Sequence, residues 1–250
     1  MKVTGIKTPI IQPKVPLLEQ LSSSLPKNLS EKSIIVVASK VVSIAEGRLT
    51  GLAGDKKKLK ELVKSEAEFY LDSSASRYDI MLTIKRNWMF VNAGIDQSNS
   101  AGQFCLWPLN PQKSANQLWF GLHHMYPEAK EIGVIITDSG GIPLNWGVVG
   151  RGIAHCGFKA LRNYVGDVDL YGRTMEMEKA NLFQSISAAA TVEMGEGAEC
   201  KPLAIVTGVS GLQFQKSEPT DSELKLLRIS KEDDAYEPLL NSVTWKKGGG

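Results

Sequence analysis

The sequence lacks any stretch approaching the roughly eighteen uninterrupted apolar residues of a membrane helix, so a membrane-spanning protein of the helical kind is not expected. Cysteine is scarce as well. Cys105, Cys156 and Cys200 are odd in number, far apart and in no C-x-x-C arrangement, which argues against a disulfide framework or a zinc ribbon and places the chain in a reducing cytoplasm. An excess of one charge is also missing: 29 Lys+Arg stand against 27 Asp+Glu, a formal net charge of +2. A near-neutral chain gives no electrostatic reason to expect nucleic acid or an anionic membrane as partner. Met1 to Pro16 holds three prolines and alternates apolar with polar residues, unlike the continuous apolar core of a secretory leader. Two phosphate-binding signatures, G-x-x-x-x-G-K-[ST] and G-x-G-x-x-G, do not occur, so any nucleotide is bound by another scheme.

What remains is ordinary globular composition, with 42% hydrophobic and 22% charged residues, enough for a sizeable core. Short β-branched runs alternate with helical stretches. Ser33–Val42, Asp79–Ile84, Trp88–Val91, Gly133–Thr137 and Leu203–Val209 have the length and residue types of buried strands. Helical periodicity marks Asp55–Tyr70, Ala115–Met125 and Lys179–Met194. The lysines at 56, 57, 58 and 60 read as a solvated helix face rather than a phosphate site. Residues 1–250 read as one module, with a polar, mixed-charge C-terminal segment over 217–250, and Gly248–Gly250 reads as an appended remnant.

Three polar, turn-rich segments separate these elements: Asn92–Gln103, Ser139–Arg151 and Gly195–Lys201. Each holds or adjoins a carboxylate, and loops at element ends are where sites are normally built. Asp96 lies among Asn92, Gly94, Ser98 and Asn99; Asp138 is followed by Ser139, Gly140 and Gly141; Glu196 sits between Gly195 and Gly197. Singly, each carboxylate reads as a turn or cap residue, and Gly195 and Gly197 as helix C-cap glycines. Together, hard oxygen ligands beside glycines suit divalent ions holding a polyphosphate. His123, His124 and His155 have no metal-ligand spacing and read as satisfied structural residues, and adjacency of His155 and Cys156 does not make a nucleophile pair.

The motifs resemble the F420-0:γ-glutamyl ligase family, whose members attach L-glutamate to a phospholactyl-deazaflavin using GTP. The similarity runs from Lys2 to about Val209. It is carried by Ser39-Lys40-Val-Val-Ser-Ile-Ala-Glu46-Gly47-Arg48, Asn92-Ala-Gly-Ile-Asp96-Gln-Ser-Asn99, the Trp107–Ala115 stretch, Thr137-Asp138-Ser139, Asp169–Arg173 and Met194-Gly195-Glu196. The resemblance implies that Asp96, Asp138, Ser139 and Glu196 ligate two Mg²⁺ or Mn²⁺ ions. It implies nucleotide contacts, to GTP or ATP, from Pro9, Ile10, Ile11, Gln12, Ser39, Lys40, Asn99, Gly195 and Gly197. It further implies an α+β fold of two interwoven subdomains with mixed and antiparallel sheets, neither Rossmann nor P-loop, and a tight homodimer. Catalysis would rest on Asp96, Asp138, Glu196 and Lys40.

Departures from the family pattern are specific. Where the family reads V-V-S-K after the S-K pair, the basic residue is here Ile44. Where it continues T-D-[ST] with F-G-R-P-W-R-x-G-Q, this chain has Gly140-Gly141-Ile142-Pro143-Leu144-Asn145-Trp146-Gly147-Val148. Two arginines and a glutamine are replaced, and arginine is the usual choice for bidentate recognition of carboxylate or phosphate. The expectation is a metal- and nucleotide-dependent amide ligase that adds L-glutamate to a carboxylate acceptor through an acyl phosphate. The acceptor is F420-0 or, given the altered loop, a folate- or pteroate-type molecule seated against Ile142, Leu144 and Trp146. The competing reading is a non-catalytic nucleotide-binding or scaffold protein that has kept the fold.

Overall fold

Six residues at Ser33–Ala38 are almost wholly buried, and such a β-branched run can be covered on both faces only as the centre of a sheet. The computed structural model, which describes residues 1–250, places it there. The first elements are β1 (Lys2–Ile6), α1 (Leu17–Leu21), β2 (Ser33–Ala38), α2 (Ser39–Ala45), β3 (Leu49–Thr50) and α3 (Lys56–Glu66). Next come β4 (Phe69–Tyr70), β5 (Leu82–Lys85), β6 (Trp88–Val91), β7 (Phe104–Cys105), α4 (Pro111–Met125), β8 (Ile132–Gly141) and β9 (Val148–Cys156). The chain ends with β10 (Leu161–Asn163), β11 (Lys179–Asn181), α5 (Leu182–Met194), β12 (Leu203–Thr207), α6 (Asp221–Leu226), α7 (Glu237–Leu240) and β13 (Lys246–Lys247).

The main sheet has the order β1-β12-β2-β8-β9 and is mixed: only β2 and β8 run parallel. Side chains alternate across it. Ile35, Val37, Val134 and Ile136 pack with Leu118, Trp119 and Leu122 of α4, while Ile34, Val36 and Ile135 pack with Phe183, Ile186 and Ala190 of α5. A smaller antiparallel sheet, β13-β4-β5-β6, comes from chain inserted between β2 and β8 and from the C-terminus. Beside it lies a separate cluster of Val63, Ala67, Met81, Ala93, Ile95, Phe104 and Leu106. The architecture is α+β, with mixed and antiparallel sheets and no closed barrel. No helix is long and apolar enough to cross a membrane.

Five expectations shift. The strand expected over 33–42 stops at Ala38, because Val41 and Val42 bury their side chains from helix α2. The helix expected over 55–70 ends at Glu66, and Phe69–Tyr70 joins the small sheet. That over 179–194 begins at Leu182, after strand β11 and an Asn181 side-chain cap. The Ser139–Arg151 segment is largely a hairpin, with β8 running to Gly141 and β9 starting at Val148. Gly248–Gly250 is a packed part of the fold, its three backbone N–H groups donating to the carbonyls of Glu68, Lys64 and Ala67.

Glycines in β9 set how closely α5 approaches. A Cβ at Gly152 would overlap the Phe183 ring and lie 2.6 Å from Ser187 Oγ. Gly152→Ala should push α5 off the sheet and cost about 2 kcal/mol, the usual size of an overpacking penalty. Urea unfolding should show the loss as a lower midpoint at unchanged slope.

Candidate active site

Strands β2 and β8 run parallel in register to Ala38 and Thr137, so the residues that follow lie side by side where β2 ends and β8 runs on to Gly141. These are Ser39 and Lys40 from one strand and Asp138 and Ser139 from the other. Strand β6 delivers the third component: after Val91 the chain makes a tight turn at Asn92–Gly94 and presents Asp96, paired through its backbone to Cys105. Helix α5 ends at Gly195, whose φ of 79° lies where only glycine sits without strain, and the turn projects Glu196 toward β8.

Contacts join these four pieces. Lys40 Nζ lies 2.7 Å from Asp96 Oδ2 and donates to Ser98 Oγ at 3.0 Å. Asp96 also accepts from the Ser98 N–H at 2.7 Å. Ser139 Oγ donates to the Glu196 carboxylate at 2.7 Å, and Asn99 Nδ2 to the Gly197 carbonyl at 3.1 Å.

The two central carboxylates are held in opposite electrostatic states. Burial would raise Asp96, but the Lys40 ammonium and the Ser98 donors outweigh it and hold this carboxyl below its ordinary value. Burial pushes Asp138 up to about 6 despite hydrogen bonds from Trp107, the Ser139 N–H and Ser39, and the Asp96 charge adds to the rise. Separated carboxyl pKa values of this kind recur at functional sites.

Asp138 is buried by Trp107, whose indole N–H donates to Oδ2. That approach requires Gly94, because a Cβ there would overlap the indole nitrogen. Behind the indole, Arg48 Nε donates to the Trp107 carbonyl at 3.0 Å and Lys85 Nζ lies 5.5 Å from the ring centre. Glu66 joins both cations, at 2.7 Å from Arg48 and 2.6 Å from Lys85. Sequence reasoning did not single out Trp107, Arg48, Glu66 or Lys85 as supports of Asp138. Arg48, Gly94 and Trp107 lie in the family motifs, but the motif spacing does not reveal that they touch.

The other expected residues fall at the margin. Ile11 is buried in the main core while Pro9, Ile10 and Gln12 are exposed. The segment is tied by Gln20, which accepts the Gln12 N–H at 2.6 Å, and by the Thr8 N–H donating to the Cys200 carbonyl in the Glu196 loop. Gly195 caps α5, but Gly197 does not; its N–H donates to Glu199. Ile44 packs against the main core. Trp146 and Leu144 stand almost fully exposed at the hairpin tip, so Trp146 does not hold the loop to the core. Burial lowers His155 to about 4 and raises Cys156 to about 12, which leaves no nucleophile pair. Contrary to expectation, His155 and His123 are not fully satisfied: Nδ1 of the first and Nε2 of the second are buried without partners.

No group of three or more histidine, cysteine or carboxylate side chains stands close enough together to hold an ion outright. The donor chemistry still suits a hard cation, since Asp138 is a desolvated carboxylate beside Asp96 and next to the Ser139 hydroxyl, an all-oxygen set.

The site is thus a cluster of carboxylates and hydroxyls where the parallel pairing of β2 and β8 ends, in a mixed-sheet α+β protein. The F420-0:Gamma-glutamyl ligase family model matches residues 5–208. The coenzyme F420:L-glutamate ligase of Archaeoglobus fulgidus is 34% identical over 215 residues, covering 81% of this chain and 85% of the relative. Those of Methanococcus maripaludis and Methanopyrus kandleri are 31% and 32% identical, covering 82% and 80% of this chain and 87% and 83% of their own lengths. The chain belongs to the F420-0:γ-glutamyl ligase family, a family of ligases.

The sign of the Asp138 shift makes a stability test. Its folded-state value lies above the ordinary 3.8, so the folded state binds the proton more tightly and stability is lost as pH rises from about 4 to 6. Without added metal, Asp138→Asn should melt with the wild type below pH 4. It should become the more stable form by ~1–3 kcal/mol above pH 6. Equal melting temperatures across that window would contradict the burial of this charge.

Proposed function

We propose that this chain is a metal- and nucleotide-dependent ligase that joins L-glutamate to a carboxylate acceptor through an acyl phosphate. The observation that carries the reading is the convergence of Ser39, Lys40, Asp96, Asp138, Ser139 and Glu196 where the parallel pairing of β2 with β8 ends, the side of such a strand pair on which ligands commonly bind. Names borne by the relatives support glutamate and an F420-type acceptor.

The acceptor carboxylate oxygen attacks the γ-phosphorus and the nucleoside diphosphate leaves. The amine of glutamate then attacks the acyl carbon, phosphate leaves and the amine loses a proton. Asp96, Asp138 and Ser139 would hold a divalent cation, with Glu196 reaching it through the turn after α5. Bound there, Mg²⁺ or Mn²⁺ would neutralise charge on the phosphate oxygens. Lys40 supplies a fixed positive charge at the strand end, and its 2.7 Å pairing with Asp96 keeps both side chains oriented before nucleotide arrives. The Asn99–Gly197 hydrogen bond ties the Glu196 loop to the Asp96 turn, and the neighbouring Pro9–Gln12 segment would meet the nucleotide. The Asp138 carboxylate set beside Asp96, with Glu196 held by the adjoining Ser139, favours this reading over a scaffold, which has no use for them.

The acceptor is a flat aromatic carboxylate. An apolar hairpin tip, Ile142, Leu144 and Trp146, in place of cationic residues favours a folate- or pteroate-type molecule over F420-0. Phosphate should be released from GTP or ATP only when glutamate and an acceptor are both present, and faster with pteroate than with F420-0. Asp96→Asn should reduce turnover by at least 100-fold at saturating Mg²⁺ with the melting temperature little changed. Release without glutamate, or wild-type turnover in the variant, would sink the site assignment; preference for F420-0 would sink the changed acceptor.

A second copy completes the reading. Val168, Leu170, Tyr171 and Met177 are large, apolar and 66–98% exposed on one extended loop, more than a monomer ordinarily leaves together. Sedimentation should give a mass near twice 27.3 kDa at micromolar concentration, and the single-chain mass would contradict it.

A further inference from the structure

We infer that Arg151 is the residue that receives the acceptor's carboxylate beside Asp138. The inference rests on the ligase reading above for the identity of that carboxylate, though not for the geometry.

Arg151 lies directly opposite Asp138 in the β8–β9 pair, and residues facing each other across antiparallel strands share one side of the sheet. Its guanidinium is stacked between two rings of β6, 4.5 Å from the centre of Phe90 and 5.5 Å from that of Trp88. One N–H donates to the Met89 carbonyl at 2.8 Å. The group makes no ion pair with Asp138 or any other carboxylate, and its remaining donors have no protein partner. A guanidinium carries five N–H donors in a planar fork, so a desolvated, ring-clamped fork with one bond made is set for a planar two-oxygen acceptor.

Room for this arginine is made by the neighbouring strand. A Cβ at Gly140 would come within 2.7 Å of Arg151 Cδ and 3.0 Å of the Phe90 ring, so the stem of Arg151 fills the space a side chain at 140 would take. The same hairpin lacks positive charge at its tip, from Ile142 to Val148, which leaves Arg151 as the cation that β8 and β9 offer next to Asp138. A substrate carboxylate on Arg151 would lie across the strand pair from Asp138, beside the residues proposed to hold the metal and phosphates.

Binding and turnover separate this assignment from the ligase reading. F420-0 and pteroate, each as the free acid and as the carboxyl methyl ester, are titrated against the protein without nucleotide while tryptophan fluorescence is followed. Wild type should bind at least one acid 10-fold or more tighter than its ester. Arg151→Gln should discriminate by less than twofold and Arg151→Lys by an intermediate factor, with nucleotide affinity and melting temperature close to wild type. In steady-state assays Arg151→Gln should raise the acceptor KM at least 10-fold while the KM values for glutamate and nucleotide stay within twofold. Undiminished acid-over-ester preference in Arg151→Gln overturns the assignment, as does a parallel fall of all affinities with the melting temperature. Absence of turnover in a wild type that still discriminates acid from ester retires the ligase reading and supports Arg151 as a carboxylate receptor.

Discussion

Burial of the Asp138 carboxylate under the Trp107 indole is the contact on which the rest of the site depends. It ties together three stretches distant in sequence. Gly94 supplies the space through which the indole nitrogen reaches its acceptor, the β8 strand end supplies the acceptor, and α2 lies alongside through the Ser39 hydroxyl. The indole is fixed from behind by Arg48 and Lys85, whose charges meet on one side chain, Glu66. A buried and a half-buried cation on one carboxylate are costly unless geometry satisfies them, and here the geometry also orients the tryptophan. Removing the side chain of Glu66 would leave two uncompensated charges under the residue that positions Asp138.

The charges at the strand ends are unevenly matched. Asp96 has its cation in Lys40 and its donors in Ser98. Asp138 has hydrogen bonds and a longer-range attraction to Arg151 but no ion pair, and feels the charge of Asp96. Such an arrangement works against folding at neutral pH, since desolvating an ionised carboxylate without a directly paired cation costs free energy. Proteins retain destabilising groups of this sort where a ligand completes the balance. The uneven match is therefore more informative about function than the number of carboxylates, because Glu199, three residues on from Glu196 in the same loop, merely accepts the N–H of Gly197.

Much of the core was legible from residue type alone. Ile34 to Val37, Gly133 to Ile136 and Leu203 to Val206 are β-branched or small runs whose burial on both faces leaves few alternatives to central strands. The α+β class came instead with the family resemblance, and the turns bearing Asp96 and Glu196 could be read from their glycines and polar residues, whereas Asp138 lies inside β8. Element ends could not: Val41 and Val42 have strand propensity but bury in a helix, a tertiary choice that propensity does not encode. Strand β9 was hidden by Gly150 and Gly152, which look like turn signals and are instead places where α5 packs hard on the sheet. Trp107, Lys85 and Glu66 were invisible as a group because they converge only after two sheets and a helix have been assembled.

The β8–β9 hairpin divides its labour along its length. At its base, the close packing of α5 on Gly150 and Gly152 and an extra residue in β9 between Ile136 and Thr137 of the partner strand fix the register. Asp138 and Arg151 are therefore held opposite each other to the tolerance of a packed sheet. At its tip, Leu144 at φ 62° and the exposed Trp146 answer to no packing partner within the chain, so substitutions there leave the base in place. A rigid base that carries the carboxylate chemistry and a free tip that carries apolar surface can vary independently. That separation gives a physical route by which a ligase could exchange the ring system of its acceptor while keeping the reaction performed on the acceptor's carboxylate.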